Sequence, residues 1–312
     1  MAYFAPVEMA RAIAADVLAF PITHMTAERR FDEAPFRDHL TWMLDAKPAG
    51  FFAAGGTGEF FSLTPQEVER VTAVTVEMVG GAVPVIAGAG YGTEMAIDLA
   101  HRAETAGADG LLLLPPYLIT PSQEGLMAHV EAVCRATGLG VIVYNRDNAI
   151  LEAQSVARLA DRCPNLVGLK DGVGNIELMV RTRGLVGDRL VYVGGLPTAE
   201  LFAQPYLTMG VSTYSSALLN FFPNFARAFY NAVREVNVAA IDAGLRDFVL
   251  PYTAIRNRGR GYAVSIIKAG AKIVGRPGGP VRPPLTDLDE KSYADLEALM
   301  QKHGDRAPGA AR

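Results

Sequence analysis

The feature that most constrains this chain is a series of eight short, almost continuous apolar runs separated by longer stretches of helical spacing. The runs are VLAFPIT (17–23), GFFAAG (50–55), PVIAGAG (84–90), GLLLLPP (110–116), GVIVYN (140–145), LVGLKDG (166–172), VYVGG (191–195) and GVSTYSSA (210–217). Between them apolar residues recur at helical intervals over 65–79, 93–106, 122–136, 152–161 and 198–209, with Thr64 placed to cap the first of these stretches. Strands that are apolar at consecutive positions are buried on both faces, as parallel strands are when helices cover them. Eight such units predict an α/β fold of the closed (β/α)8 TIM-barrel type. An open doubly wound sheet would want a glycine-bearing phosphate turn after its first strand, and LAFPIT is followed by none. The segment 88–93 (GAGYGT) has GxGxG spacing and follows the third strand, so it is read as a turn and not as a nucleotide cradle.

Beyond Ala217 the pattern is helical over 224–236, 238–248, 261–271 and 290–303, with a Pro/Gly-rich passage at 276–284. One of these helices is expected to complete the barrel. The organisation predicted is a catalytic barrel over 1–235, a C-terminal helical extension over 236–303, and a frayed tail over 304–312.

Composition narrows the function. The formal charge is −4, from 29 basic and 33 acidic residues, and neither sign forms a long block, which argues against nucleic-acid and membrane partners. The run 110–119 is interrupted by two prolines and is far too short to span a bilayer, and the N-terminal stretch carries Glu8, Arg11 and Asp16 where a secretory signal would be uncharged. A cytoplasmic protein is expected. The two cysteines, Cys134 and Cys163, form no CxxC or Cys/His cluster, so neither a disulfide framework nor a zinc site is expected. The five histidines are scattered and read as surface or packing residues, with only His24 near a loop that approaches a site.

Chemistry in such a barrel sits where strands end. The second strand ends in Gly55-Gly-Thr-Gly-Glu59, the fifth in Tyr144-Asn-Arg-Asp147 and the sixth in Lys170-Asp-Gly172. An ammonium at the end of a buried strand needs a partner or a lowered pKa. Lys170 is therefore either ion-paired with a loop acid such as Asp171 or a nucleophilic amine activated by desolvation. Tyr144 ends the neighbouring strand; it is either a packed aromatic with a wet hydroxyl or a proton carrier for a carbonyl addition. The GGTGE loop offers glycine N–H groups and the Thr57 hydroxyl, an arrangement that suits a carboxylate and equally suits a tight turn.

At these residues the chain resembles the dihydrodipicolinate synthase/N-acetylneuraminate lyase family of Schiff-base-forming barrels. GGTGEFFSLTPQE, PPYLITPSQEG, VIVYN and GLKDG stand in the order of that family's motifs, over roughly 15–220. The resemblance implies Lys170 as the Schiff-base lysine, Tyr144 as the proton-transferring tyrosine and Thr57 as part of the site for a 2-oxo acid carboxylate. It also implies a substrate site that includes Gly56, Gly58, Asn145, Arg146, Gly195 and Ser215, no metal or organic cofactor, and a homo-oligomer, tetramer or dimer. The family's synthase pattern has a second threonine, a second tyrosine and an arginine where this chain has Gly56, Leu118 and Ala149. YNRDNA (144–149), Ser215-Ser216 and the segment 255–270 instead resemble the 5-dehydro-4-deoxyglucarate dehydratase branch. That branch implies dehydration and decarboxylation of a six-carbon keto-diacid, with Arg146 either holding the far carboxylate or paired with Asp147 or a neighbouring subunit. The alternatives are a 2-keto-3-deoxy sugar-acid aldolase or another class I pyruvate-type lyase or synthase of the same family and, outside enzymes, a barrel that only binds a keto acid as a sensor.

Overall fold

In a computed structural model that describes residues 2–309, the eight apolar runs form eight parallel strands closed into a barrel, each strand paired with its neighbours in chain order. They are β1 (Leu18–Ala19), β2 (Phe51–Ala53), β3 (Val85–Ala89), β4 (Gly110–Leu113), β5 (Gly140–Asn145), β6 (Leu166–Asp171), β7 (Val191–Gly194) and β8 (Thr213–Ser216). A short helix, α1 (Pro6–Ile13), precedes them. The outer ring is α2 (Glu33–Leu44), α3 (Pro65–Val79), α4 (Thr93–Ala106), α5 (Gln123–Ala136), α6 (Ala153–Arg162), α7 (Ile176–Val186), α8 (Ala203–Thr208) and α9 (Pro223–Arg234). Among the described residues no helix is long and apolar enough to cross a membrane.

Two apolar cores follow from the alternation of side chains along each strand. Leu18, Phe20, Phe52, Ile86, Leu112, Ile142 and Val193 fill the barrel interior, where Phe20 stacks on Phe52 at 4.4 Å between ring centroids. A larger core lies between strands and helices. Truncating an interior aromatic such as Phe52 to alanine would cost about 3–5 kcal/mol. The helix α1 closes the N-terminal end: Met9 and Ile13 join the interior core, and the Asp109 carboxylate accepts hydrogen bonds from the Tyr3, Phe4 and Val85 amides at 2.6–2.9 Å. The opposite, C-terminal end stays open.

Beyond the ring run α10 (Val238–Gly244), α11 (Leu250–Arg256), α12 (Tyr262–Ile273) and α13 (Glu290–His303). The helix expected over 238–248 does not stop there. A π-helical turn at Leu245–Val249 carries it into α11, so the register shift of the π turn falls immediately ahead of Pro251, the residue with no N–H to give. The tail differs from expectation as well. Residues 304–309 pack back on the barrel, because the Asp305 carboxylate accepts from the Asn224 and Phe225 amides and so caps α9. Residues 310–312 lie outside the described residues.

The GxGxG segment is shaped by packing. A Cβ at Gly88 would stand 2.3 Å from the Ala54 carbonyl oxygen, and one at Gly90 would press on Phe60 and Leu114 at 3.1–3.2 Å, so the glycines let the second and third strand ends approach each other.

Candidate active site

The open end of the barrel holds a cavity of about 490 Å³ whose floor is Lys170, with walls from Gly56, Thr57, Tyr91, Tyr144, Arg146, Gly195 and Ser215. The strand register dictates the centre. Tyr144 on β5 is paired with Lys170 on β6, so both side chains point into the barrel at one level. Lys170 is 4% exposed, and its Nζ lies 4.0 Å from the centroid of the Tyr144 ring and 4.5 Å from that of Phe20.

The alternative of a Lys170–Asp171 ion pair is not observed. Side chains alternate along the strand, and Asp171 faces away, accepting hydrogen bonds from the Val173 and Gly174 amides and from the Tyr206 hydroxyl. Among the described residues Lys170 has no acidic partner within ion-pair distance. Burial holds its pKa below the usual lysine value, and the nearby Arg146 charge pushes it the same way against the opposing pull of Tyr144. Such an amine keeps a larger neutral, nucleophilic fraction near neutral pH.

The Tyr144 hydroxyl donates to the Gly195 carbonyl at 2.6 Å and accepts from Arg146 Nη1 at 3.2 Å. Burial alone would raise its pKa, but the charges of Lys170 and Arg146 outweigh that and hold the phenol below its usual value. Both expectations for Arg146 therefore have a counterpart: it lines the cavity, and its Nε also pairs with the exposed Asp147 at 3.2 Å. A pair this exposed contributes little stability.

The loop that carries Gly56 and Thr57 is braced from behind. Glu59 takes a left-handed conformation (φ 59°) and is fully buried. Its carboxylate pairs with Lys268 of α12 at 2.6 Å and accepts from the Arg282 amide at 2.9 Å. The Arg282 guanidinium in turn grips Glu67 through two bonds of 2.6–2.7 Å, and Glu67 completes a capping box with Thr64 at the start of α3. The C-terminal extension thus fixes the loop that presents Gly56 and Thr57. Around this brace, the His24 and His39 rings lie 4.9 Å apart and tilted by 54°, both buried; desolvation lowers their pKa values to about 3 and about 4, which leaves them neutral packing residues.

Two residues expected in the substrate set stand outside the cavity. Asn145 is buried with its amide tied to both the carbonyl and the N–H of Leu151 at 3.1 Å, so it staples the β5–α6 loop. Gly58 faces Pro21, Thr23 and Ala54, and its carbonyl accepts the Thr23 hydroxyl at 2.7 Å. Gly56, Thr57, Arg146, Gly195 and Ser215 do border the cavity. Residues the sequence reading missed are Phe20, Tyr91 and, from the extension, Tyr252 and Arg256. Phe20 looks like any strand aromatic, and nothing in the local sequence marks Arg256 as facing the barrel mouth.

Comparison with known proteins agrees with this geometry. A family model described as the dihydrodipicolinate synthetase family matches residues 14–303. A protein of Bradyrhizobium diazoefficiens named "probable 5-dehydro-4-deoxyglucarate dehydratase" is 61% identical over 302 residues, 97% of this chain and 96% of that one. The crystal structure of dihydrodipicolinate synthase from Oceanobacillus iheyensis superposes with a TM-score of 0.88 at 26% identity, covering 96% of this chain and all of that one. YagE, an Escherichia coli K12 prophage protein of the same family crystallised with pyruvate, superposes with a TM-score of 0.82 at 26% identity over 92% of this chain and 98% of that one. With eight strands, the buried lysine and the tyrosine registered beside it all accounted for, the chain belongs to the dihydrodipicolinate synthetase family.

Proposed function

We propose that this protein dehydrates and decarboxylates 5-dehydro-4-deoxy-D-glucarate to 2,5-dioxopentanoate through a Schiff base on Lys170. The observation that carries the reading is a buried lysine, without an acidic partner among the described residues, at the floor of the cavity and against the ring of Tyr144. The name borne by relatives near 60% identity supports the choice of substrate.

With the substrate carbons counted from the carboxyl next to the ketone, neutral Lys170 Nζ adds to C2. The carbinolamine loses water with Tyr144 passing the proton, since its hydroxyl stands between the Gly195 carbonyl and the Arg146 guanidinium. The iminium acidifies C3, and loss of a C3 proton gives an enamine that expels the C4 hydroxyl as water. The conjugated iminium then accepts the electron pair of the C5–C6 bond as CO2 departs. The resulting C5 enol becomes the aldehyde, and hydrolysis of the imine frees Lys170. One lysine serves as electron sink for both steps, so the chemistry calls on no metal or organic cofactor.

The proximal carboxylate is held by the Gly56 and Thr57 nest, and Arg146 tunes Tyr144 from the side. Ser215, whose hydroxyl reaches the Gly194 carbonyl at 3.4 Å, borders the bound ketone. Quantifying products from 5-dehydro-4-deoxy-D-glucarate tests the reading. Equimolar CO2 and 2,5-dioxopentanoate are expected; stoichiometric pyruvate would mean aldol cleavage, and binding without turnover would mean a sensor. The same reading places the enzyme in the cytoplasm as a homo-oligomer.

A further inference from the structure

A six-carbon diacid brings a second carboxylate that the Gly56–Thr57 nest cannot hold, and among the described residues three cations line the cavity, Lys170, Arg146 and Arg256, against a single acid, Asp147. Lys170 is committed to the ketone. Arg146 is engaged at the proximal end, donating to the Tyr144 hydroxyl and pairing with Asp147, each at 3.2 Å. Arg256 differs. Its guanidinium donates only to neutral oxygens, Thr198 Oγ1 at 2.5 Å and Asn257 Oδ1 at 3.0–3.1 Å, and among the described residues it has no acid within ion-pair distance. The acid whose field reaches it, Glu200, is buried and bonded by the Ser216 hydroxyl at 2.6 Å. A half-buried guanidinium with no acid in ion-pair contact is costly unless a ligand supplies one.

Its placement fits the length of the substrate. Gly195 touches the Lys170 side chain, and Thr198, the partner of Arg256, lies three residues further along the same loop, a reach of at most about 10 Å. The four bonds from the Schiff-base carbon to the far carboxylate span about 5 Å, which leaves room for a contact at each end. Thr198 itself is a β-branched residue held in the left-handed region (φ 56°, ψ 66°), a conformation that persists only where its surroundings impose it. The Arg256 hydrogen bond is part of that constraint. Tyr252 and Arg256, four residues apart on α11, share a helix face, and both border the cavity.

Resting on the dehydratase reading above, we propose that Arg256, delivered by the C-terminal extension, binds the distal carboxylate of the substrate and makes the barrel selective for a diacid over a mono-acid. Arg146, first expected in that role, is assigned to Tyr144 instead. A charge-assisted hydrogen bond in a partly desolvated site corresponds to about a 10–100-fold change in binding.

The test compares Arg256→Met and Arg256→Lys with the parent in two assays: steady-state turnover of 5-dehydro-4-deoxy-D-glucarate, and borohydride trapping of pyruvate, which has no distal carboxylate. Arg256→Met should raise KM for the diacid about 10–100-fold while pyruvate trapping stays within about twofold, with Arg256→Lys in between. Arg146→Ala should slow both assays together. A parent-like KM in Arg256→Met, or equal losses in both assays, overturns the assignment. Where Arg256→Met does not fold, the parent protein decides: 2-oxoadipate should compete with pyruvate trapping at least about tenfold better than 2-oxohexanoate, and equal competition overturns the proposal. If the parent traps pyruvate but leaves the diacid untouched, the dehydratase reading falls, and the 2-oxoadipate comparison still judges Arg256 separately.

Discussion

Gly195 and Lys170 compete for the same space: a Cβ on Gly195 would stand 2.6 Å from Lys170 Cγ and 2.8 Å from Cε. Only a hydrogen at 195 lets the lysine lie across the end of β7 with its amine beneath the Tyr144 ring. The added carbon would also approach the Asp171 carbonyl to 2.9 Å, so part of the clash falls on backbone. Gly195→Ala is expected to slow trapping of pyruvate about 100-fold by moving the nucleophile. The accompanying stability loss should be about 1–3 kcal/mol, read from thermal unfolding. A parent-like trapping rate would show that the lysine does not need this path.

Tyr144→Phe keeps the ring that packs against Lys170 and removes the hydroxyl that links the Gly195 carbonyl to Arg146. Turnover should fall about 10²–10⁴-fold with little change in unfolding temperature. Activity within a few-fold of the parent would reduce Tyr144 to a packing residue.

Much of this arrangement is legible in the sequence, and the exceptions have identifiable causes. The apolar runs locate all eight strands because burial on both faces keeps them apolar at consecutive positions and their shortness sets them apart from buried helices. The polar residues ending β2, β5 and β6 stand out because a charge there needs a reason. Strand position alone does not reveal which way the Asn145 amide turns, and that amide closes a loop. Nor does glycine content separate Gly56, which borders the cavity, from Gly58, which is packed beneath it. Arg256 was hidden because its place depends on a helix that continues past Pro251 through a π turn, a tertiary outcome with no local signature. The helix α1 and the docked segment 304–309 likewise owe their positions to distant partners, Asp109 for the first and the start of α9 for the second.

Glu200 gives the fold a pH dependence. Burial raises its pKa from 4.5 to about 6, with the Ser216 hydroxyl only partly opposing the shift. The folded state therefore holds this proton more tightly than the unfolded chain. The stability from this group is full below pH 4.5 and is lost as the pH rises through about 6. By pH 8 the loss amounts to about 2 kcal/mol. Glu200→Gln keeps an oxygen for Ser216 and does not titrate. Its stability relative to the parent, followed by denaturant unfolding, should rise between pH 4.5 and 8. A constant difference across that range would mean that burial does not raise the Glu200 pKa above its unfolded value.

The most direct test of the account is to locate the covalent bond. The protein is reduced with borohydride in the presence of pyruvate and, separately, of 5-dehydro-4-deoxy-D-glucarate, and the modified peptide is mapped by mass spectrometry. Lys268 is the other buried lysine, but it is paired with Glu59 at 2.6 Å and bonded to the Pro280 carbonyl at 3.0 Å, so its amine is held in an ion pair that Lys170 lacks. The account predicts a single adduct on Lys170 with either compound, and none in a Lys170→Ala variant that folds normally. An adduct on Lys47, Lys268 or Lys272, or turnover of the diacid that survives Lys170→Ala, would contradict it.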